Sequence, residues 1–148
     1  MNRRTYLIAA IIFLLIVVLF GYFMLSKKQP TVIIGDKKFQ VLIADSESER
    51  IQGLSGRSSL KENEGMLFLY PQATTATFWM KDMQFDLDFI FIRNGIVVDL
   101  AEEIVSPEGD EPPETISTSE KFDAALEVPA GTVQRLTISI GDIVTYSL

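Results

Sequence analysis

Residues 85–104 read FDLDFIFIRNGIVVDLAEEI, and they contain the strongest short-range folding signal in the chain. Asn94-Gly95 separates two runs rich in β-branched and aromatic residues, which is typical of a two-residue β-hairpin turn. We therefore predict strands over residues 85–93 and 96–104, joined by a tight turn.

The segments on both sides of this hairpin predict further short strands. Ser46-Glu47-Ser48-Glu49 matches a capping box and predicts a short helix over residues 46–54. Residues 106–120, SPEGDEPPETISTSE, are polar and acidic and predict a long exposed loop. The stretch around residues 136–140 is compatible with helix or strand. Other strands are predicted over residues 31–34, 38–44, 66–70, 75–81, 124–128 and 143–147.

This pattern predicts a mainly β fold with one or two short helices, a β-rich α+β class, as a compact, barrel-like antiparallel sheet. Residues 1–28 are predicted to form an N-terminal membrane anchor, and residues 29–148 a soluble β-rich domain. About 120 residues are enough for one modest domain.

The anchor prediction rests on residues 6–25, YLIAAIIFLLIVVLFGYFML, twenty residues without a charge. As a helix they would reach about 30 Å, the thickness of a bilayer core. Two alternatives are a buried helix and a cleaved signal peptide, but the run exceeds the usual apolar region of a signal and no A-x-A-like site follows it. We predict an uncleaved single-pass transmembrane helix.

Flanking charges set the predicted orientation of this helix. Arg3, Arg4 and the amino group precede it, whereas Lys27 and Lys28 follow it. Positive charge favours the cytoplasmic side. We therefore predict a cytoplasmic N-terminus and an extracytoplasmic domain at the cell envelope.

Charge and composition exclude several classes of function. Four of the thirteen basic residues precede residue 29, whereas all twenty acidic residues follow it, so the formal charge of the predicted domain is −11. Such a domain is repelled by nucleic acid. The chain has neither cysteine nor histidine, which excludes disulfides, thiolate nucleophiles, histidine triads and common zinc sites. We predict no cofactor and no metal.

The densest chemical pattern is FWMKDMQFDLD, residues 78–88. Because strand side chains alternate between faces, Asp88 shares a face with Ile90 and Ile92 and is expected to be partly buried. A buried charge needs a partner, and the favoured interpretation is an ion pair that fixes the hairpin. The alternative is a polar cluster lining a pocket beside Trp79. The cations available to Asp88 are Lys81, Arg50 and Arg57.

Two weaker hypotheses also use these carboxylates. Asp86 and Asp88 could hold calcium with acidic residues of the 106–120 loop, although the spaced acidic loop that would support such a site is missing. A pair of carboxylates could also act as acid and base. The loop residues in question are Glu108, Asp110, Glu111 and Glu114.

Four stretches between about residues 38 and 146 form a recognisable pattern. They are Ser48-Glu49-Arg50 with Gly53-Leu54 and Arg57-Ser58-Ser59-Leu60, Glu64-Gly65-Met66-Leu67-Phe68, Phe78-Trp79-Met80-Lys81-Asp82-Met83 with Leu87-Asp88, and Leu126-Glu127-Val128-Pro129-Ala130-Gly131 with Gly141-Asp142. Together they resemble domain-of-unknown-function family 192, a prokaryotic family. The resemblance implies a β-rich single-domain fold, often exported or membrane-anchored, and implies no established activity, cofactor or catalytic residue.

Two departures from the family pattern add negative charge. Asp82 stands where the family usually has asparagine, and Asp86 where it usually has proline. If the asparagine amide recognises a ligand as a donor, an ionised Asp82 could not replace it.

The resulting functional hypothesis is a membrane-anchored, non-enzymatic domain that binds a small ligand or a partner at the cell envelope. The alternatives are a carboxylate-dependent hydrolase acting on an envelope component and a structural or assembly module. No catalytic residue is predicted. The candidate ligand-binding residues are Arg57, Trp79, Met80, Lys81, Asp82, Asp88 and Glu127.

Overall fold

The computed structural model describes residues 3–25, 29–109 and 113–148. Its three helices are α1 (Arg3–Leu25), α2 (Glu47–Gln52) and α3 (Thr132–Leu136). Its nine strands are β1 (Thr31–Ile34), β2 (Lys37–Ala44), β3 (Glu64–Thr74), β4 (Phe78–Trp79), β5 (Leu87–Arg93), β6 (Ile96–Ile104), β7 (Thr115–Ile116), β8 (Phe122–Pro129) and β9 (Val144–Ser147).

Seven strands form one sheet in the order β6-β5-β8-β3-β2-β1-β9, and β4 pairs with β7 separately. Backbone hydrogen bonds from Val97 to Asp142 and from Val144 to Gly95 join the β6 side to the segment that leads into β9. The sheet therefore curls into a half-barrel, and the mainly β part of the predicted fold agrees with the structure.

One strand pair departs from the predicted antiparallel sheet. β2 and β3 are parallel, with Val41 opposite Gly65. Parallel neighbours need a crossover connection rather than a tight turn, and residues 45–63 supply it. α2 lies in this connection, with the predicted capping box formed by Ser46 and Glu49.

The hairpin predicted at Asn94-Gly95 is confirmed, with Arg93 opposite Ile96. Both turn residues have positive φ, 52° for Asn94 and 73° for Gly95. This is the backbone that a type I′ turn requires, and asparagine and glycine adopt it at low cost.

The sheet carries a hydrophobic cluster on each face. Along β8, Leu126 and Val128 belong to the first cluster, whereas Ala125 belongs to the second. Along β5, Ile90 and Ile92 belong to the first, whereas Phe89 and Phe91 belong to the second. The central strands are therefore buried on both sides.

Two local predictions are corrected by the structure. The strand predicted over residues 75–81 is reduced to the two residues of β4, and the loop predicted to be exposed over residues 106–120 contains β7. Ile116 and Thr118 of that loop are buried, and Phe78 pairs with Ile116. Pairing with β4 and burial of Ile116 hold the loop against the second cluster.

Asp88 is fully buried, as its position in the alternation predicted, but the predicted ion pair is wrong. Its two carboxylate oxygens accept hydrogen bonds from the backbone N–H groups of Glu103, at 2.8 Å, and Val133, at 2.9 Å. Among the residues that the structure describes, no ion pair involves Asp88. Backbone amides of β6 and α3 take the place of the expected cation.

The transmembrane prediction is also wrong. Within the described ranges, no helix combines the length and the apolar character needed to cross a bilayer. The predictions of a signal anchor, a membrane partner and a single-pass extracytoplasmic location lose their basis. The division at residue 28 stays a prediction.

Replacing Asp88 tests its role in joining three elements. Asp88→Ala leaves the buried N–H of Val133 and the partly buried N–H of Glu103 without acceptors, and we expect the free energy of unfolding to fall by about 2–5 kcal/mol. Urea denaturation followed by circular dichroism measures this change.

The matched control is Asp86→Ala. Asp86 also accepts two hydrogen bonds, both from Ser106, but it is exposed. Water can replace the lost acceptor there, and we expect a change within about 1 kcal/mol. Equal losses in the two variants would contradict a special role for Asp88.

Candidate functional site

A cavity of about 240 Å³ opens on the face of the sheet that carries the second hydrophobic cluster. Strands β3, β5 and β8 form one side of it, and α2 with the following turn and β4 form the other. The lining residues are Glu47, Arg50, Ile51, Gln52, Gly53, Leu54, Ser55, Phe68, Tyr70, Thr77, Phe78, Trp79, Met83, Leu87 and Glu127.

Two hydrogen bonds link the turn after α2 to the turn after β4. The Ser55 hydroxyl donates to the carbonyl of Lys81 at 2.7 Å, and the Gly56 N–H donates to the carbonyl of Asp82 at 2.9 Å. The two outer walls of the cavity are therefore connected to each other as well as to the sheet.

Glu127 of β8 is the deepest charged group in the cavity lining, and its side chain lies on the face opposite Asp88. It is 5% exposed, and burial raises the pKa of its carboxyl to about 8. No hydrogen bond or ion pair to this carboxyl is present among the described residues. Because every fully enclosed side-chain nitrogen and oxygen there has a partner, the Glu127 carboxyl must border the open cavity. At neutral pH it is mostly a protonated, neutral acid.

Gly65 allows β3 and β8 to approach closely beside Glu127. A Cβ atom at position 65 would lie 2.7 Å from the Glu127 carbonyl oxygen and 3.0 Å from Leu126 Cδ1. Any side chain there would force the two strands apart, because real Cβ atoms do not come so close to backbone oxygens. Glycine at this position therefore allows the close pairing of β3 with β8, the strand that carries Glu127.

Arg50 of α2 is held at the other end of the cavity by the backbone. Its Nη1 donates to the carbonyls of Asp45, at 2.6 Å, and Leu69, at 2.8 Å. Its Cζ lies 5.0 Å from the centroid of the Tyr70 ring, a cation–π contact. Burial raises the pKa of the Tyr70 hydroxyl, the Arg50 charge opposes that rise, and Glu127 adds to it. Tyr70 is thus within electrostatic reach of both Arg50 and Glu127.

Aromatic rings form much of the remaining wall. Phe78 packs edge-on against Phe68 with ring centroids 5.2 Å apart. Trp79, the only tryptophan of the chain, is 49% exposed, and Ile51 is 56% exposed. The exposed side chains of Trp79 and Ile51 place apolar surface at the opening of the cavity.

The structure brings together only part of the predicted site. Trp79 and Glu127 line the cavity, whereas Met80 is fully buried in the second cluster. The remaining four residues lie elsewhere. Lys81 and Asp82 border a shallow depression with Pro107 and Pro113, Arg57 borders a groove with Gln40 and Glu64, and Asp88 lies across the sheet.

Aspartate stands at position 82, where the family usually has asparagine, and the backbone conformation there accommodates both residues. Asp82 has φ of 56°, the left-handed region that asparagine and aspartate enter more readily than other side chains. The side chain is exposed and does not line the cavity. Position 82 therefore lies in a turn whose left-handed backbone suits asparagine and aspartate alike.

Sequence reasoning missed Arg50 and Tyr70 as members of the site. Arg50 was considered only as a partner for Asp88, and Tyr70 only as the end of a strand. The helical spacing of Glu47, Arg50 and Ile51 was the available signal, because residues three and four apart share one face of a helix.

The calcium hypothesis receives no support within the described residues. They contain no group of three or more acidic side chains arranged to hold a metal ion. Asp110 and Glu111, which the hypothesis included, lie outside the described ranges.

The fold and the cavity define a class of β-rich domains in which a half-barrel sheet presents one buried carboxyl to an aromatic-walled pocket. The model of DUF192, described as "Uncharacterized ACR", matches residues 31–146. The chain belongs to this family, which confirms the resemblance to domain-of-unknown-function family 192.

Two crystal structures share the fold. One is a proposed transcription regulator from Sinorhizobium meliloti, 30% identical, with a TM-score of 0.70 over 80% of this chain and 92% of that one. The other is a protein of unknown function from Novosphingobium aromaticivorans, 32% identical, with a TM-score of 0.67 over 79% of this chain and 83% of that one. No curated protein matches the chain.

The raised pKa of Glu127 predicts a pH-dependent stability. The folded carboxyl keeps its proton up to about pH 8, whereas the ordinary value is 4.5. Between these values the folded state binds more protons, so the stability that this group contributes falls as pH rises, by up to about 1.4 kcal/mol per pH unit. Glu127→Gln should remove this decline and stabilise the protein at about pH 8 relative to the wild type.

Thermal melts across this pH range measure the effect. Glu102→Gln, which makes the same substitution at an exposed position on β6, should keep the wild-type slope. A slope unchanged in Glu127→Gln would contradict burial of a protonated carboxyl.

Proposed function

We propose that the chain binds a small, mainly apolar ligand carrying one polar group, and that the ligand occupies the cavity between α2, β4 and the sheet. The observation that carries this proposal is the Glu127 carboxyl, which is buried, borders the cavity and has no partner among the described residues. The proposal keeps the ligand-binding part of the sequence-based hypothesis and leaves out the membrane.

The energetics of the cavity support binding. A buried polar group without a hydrogen bond costs about 1–3 kcal/mol, and a ligand group that pairs with Glu127 recovers that energy. A protonated carboxyl can donate one hydrogen bond and accept others. The apolar rings around it favour the body of the ligand, and about 240 Å³ limits that body to roughly one ring.

Binding is favoured over hydrolysis because the other carboxylates considered for catalysis are engaged. Asp86 accepts two hydrogen bonds from Ser106, and Asp88 accepts two from the backbone across the sheet. The cavity lining contains Glu127 and Glu47, but no observation pairs them across a scissile bond. Among the described residues, neither Asp86 nor Asp88 is therefore placed to act with Glu127 as an acid–base pair.

Nucleic-acid binding is not carried over from the relative described as a transcription regulator. The formal charge of −11 over residues 29–148 repels phosphate backbones. That charge supports a small-molecule ligand over DNA or RNA.

The test uses the full chain and four one-ring probes, benzyl alcohol, benzamide, benzoate and benzylamine. We expect at least one probe to change the fluorescence of Trp79, the single tryptophan at the opening, and to raise the melting temperature. A ligand at one hundred times its Kd stabilises the folded state by about 2.7 kcal/mol.

Two matched variants locate the binding site. Thr77 lines the cavity and is exposed, and Thr77→Phe should block it and weaken binding at least tenfold. Thr75 is exposed and does not line the cavity, so Thr75→Phe should bind as the wild type does. Equal effects of the two variants, or no response to any probe, would contradict the proposal.

A further inference from the structure

We infer that the polar group of the ligand is a protonated amine, so that the cavity is a site for a small organic cation with an aromatic-sized apolar body. This inference rests on the proposed function and specifies its ligand class. It is carried by three features of the cavity, namely the rings in its wall, the charged groups that face Glu127, and the charge of the surrounding domain.

The first feature is the aromatic wall. Four of the lining residues carry aromatic rings, from β3 and β4, and they line the cavity together with the buried carboxyl of Glu127. The face of an aromatic ring attracts a cation, and this attraction grows when the cation is removed from water. The lining residues concerned are Phe68, Tyr70, Phe78 and Trp79.

The second feature is the set of charged and titratable groups around Glu127. α2 contributes Glu47 and Arg50, β3 contributes Tyr70, and the lining residues of β4 and β5 carry no charge. Arg50 is the one cation of the lining, and it is already bound to two carbonyls and the Tyr70 ring. An anionic ligand would have to compete for that guanidinium and would face two carboxyl groups.

The third feature is long-range. The domain carries eleven more acidic than basic residues over 29–148, and such an excess raises the local concentration of cations around the opening. The same field disfavours an anionic ligand. All three features therefore favour a ligand that carries a positive charge.

Binding an ammonium group also has a defined proton balance. Before binding, Glu127 holds a proton; after binding, its carboxylate forms an ion pair with the ammonium, and the proton passes to solvent. No bond of the ligand is made or broken. Because the carboxyl is mostly protonated below pH 8, cation binding must expel one proton, and affinity rises with pH up to about that value.

A neutral ligand does not give this dependence. A hydroxyl or carbonyl pairs with the protonated acid without displacing its proton, so its affinity is constant below about pH 8. Arginine keeps its charge across this range, and the raised pKa of Tyr70 keeps that hydroxyl neutral. The sign of the pH dependence therefore reports on the pairing at Glu127.

The experiment is isothermal titration of the full chain with benzylamine and with benzyl alcohol, which have the same size and differ in charge. For benzylamine we expect the affinity to rise about tenfold per pH unit between about pH 6 and 8, with release of one proton detected in buffers of different ionisation enthalpy. For benzyl alcohol we expect no change over that range and no proton release.

Two variants complete the test. Glu127→Gln should abolish the pH dependence and weaken benzylamine binding at least tenfold while retaining benzyl alcohol. Glu102→Gln, the same substitution on the exposed surface of β6, should bind benzylamine within about twofold of the wild type. If both variants lost the same benzylamine affinity, the effect would come from the overall negative charge of the domain, and a direct pairing of the amine with Glu127 would be overturned.

The outcomes separate this inference from the proposed function. If benzyl alcohol binds and benzylamine does not, or if benzylamine binding weakens as pH rises, the cation inference is overturned and the proposed ligand site stands. If neither probe binds the wild type, and benzamide and benzoate fail as well, both are overturned.

Discussion

The central constraint in this structure is the position of β8, which pairs with β3 on one side and β5 on the other and is covered by hydrophobic residues on both faces. A side chain at an interior position of such a strand cannot reach bulk water. Glu127 is therefore buried by the topology of the sheet, and only a cavity beside it can hydrate or pair its carboxyl. The central position of β8 therefore both buries the floor of the cavity and leaves the Glu127 carboxyl dependent on what the cavity contains.

Much of the fold could be predicted from local sequence because its signals are local. Asn94-Gly95 specifies the β5–β6 hairpin through the positive φ of its turn, and Ser46 with Glu49 specifies the start of α2 through the capping box. The burial of Asp88 followed from alternation along one strand. Each of these predictions needs only residues that are close together in the chain.

The failures concern contacts between distant residues. The donors to Asp88 are backbone amides 15 and 45 residues away, and a backbone amide leaves no mark on a sequence. The cavity joins Arg50, Tyr70 and Glu127, which three separate elements bring together. The membrane helix was predicted from composition alone, and the described helices do not meet the requirement for a span. The order of the strands in the sheet, including the parallel β2–β3 pair, determines which residues line the cavity, and local sequence signals do not specify that order.

The two sides of the cavity differ in how firmly they are built, and this difference has a kinetic consequence. The floor belongs to the central strands, whereas α2 has no buried residue and is tied to β3 through the hydrogen bond from Arg50 to the Leu69 carbonyl. Segments with few buried groups open at low free energy. The sheet therefore determines which shapes fit, whereas α2 is the wall expected to open at the lower free energy, and such opening would set how fast a molecule enters and leaves. Affinity and residence time can thus be altered at different residues of the same small domain.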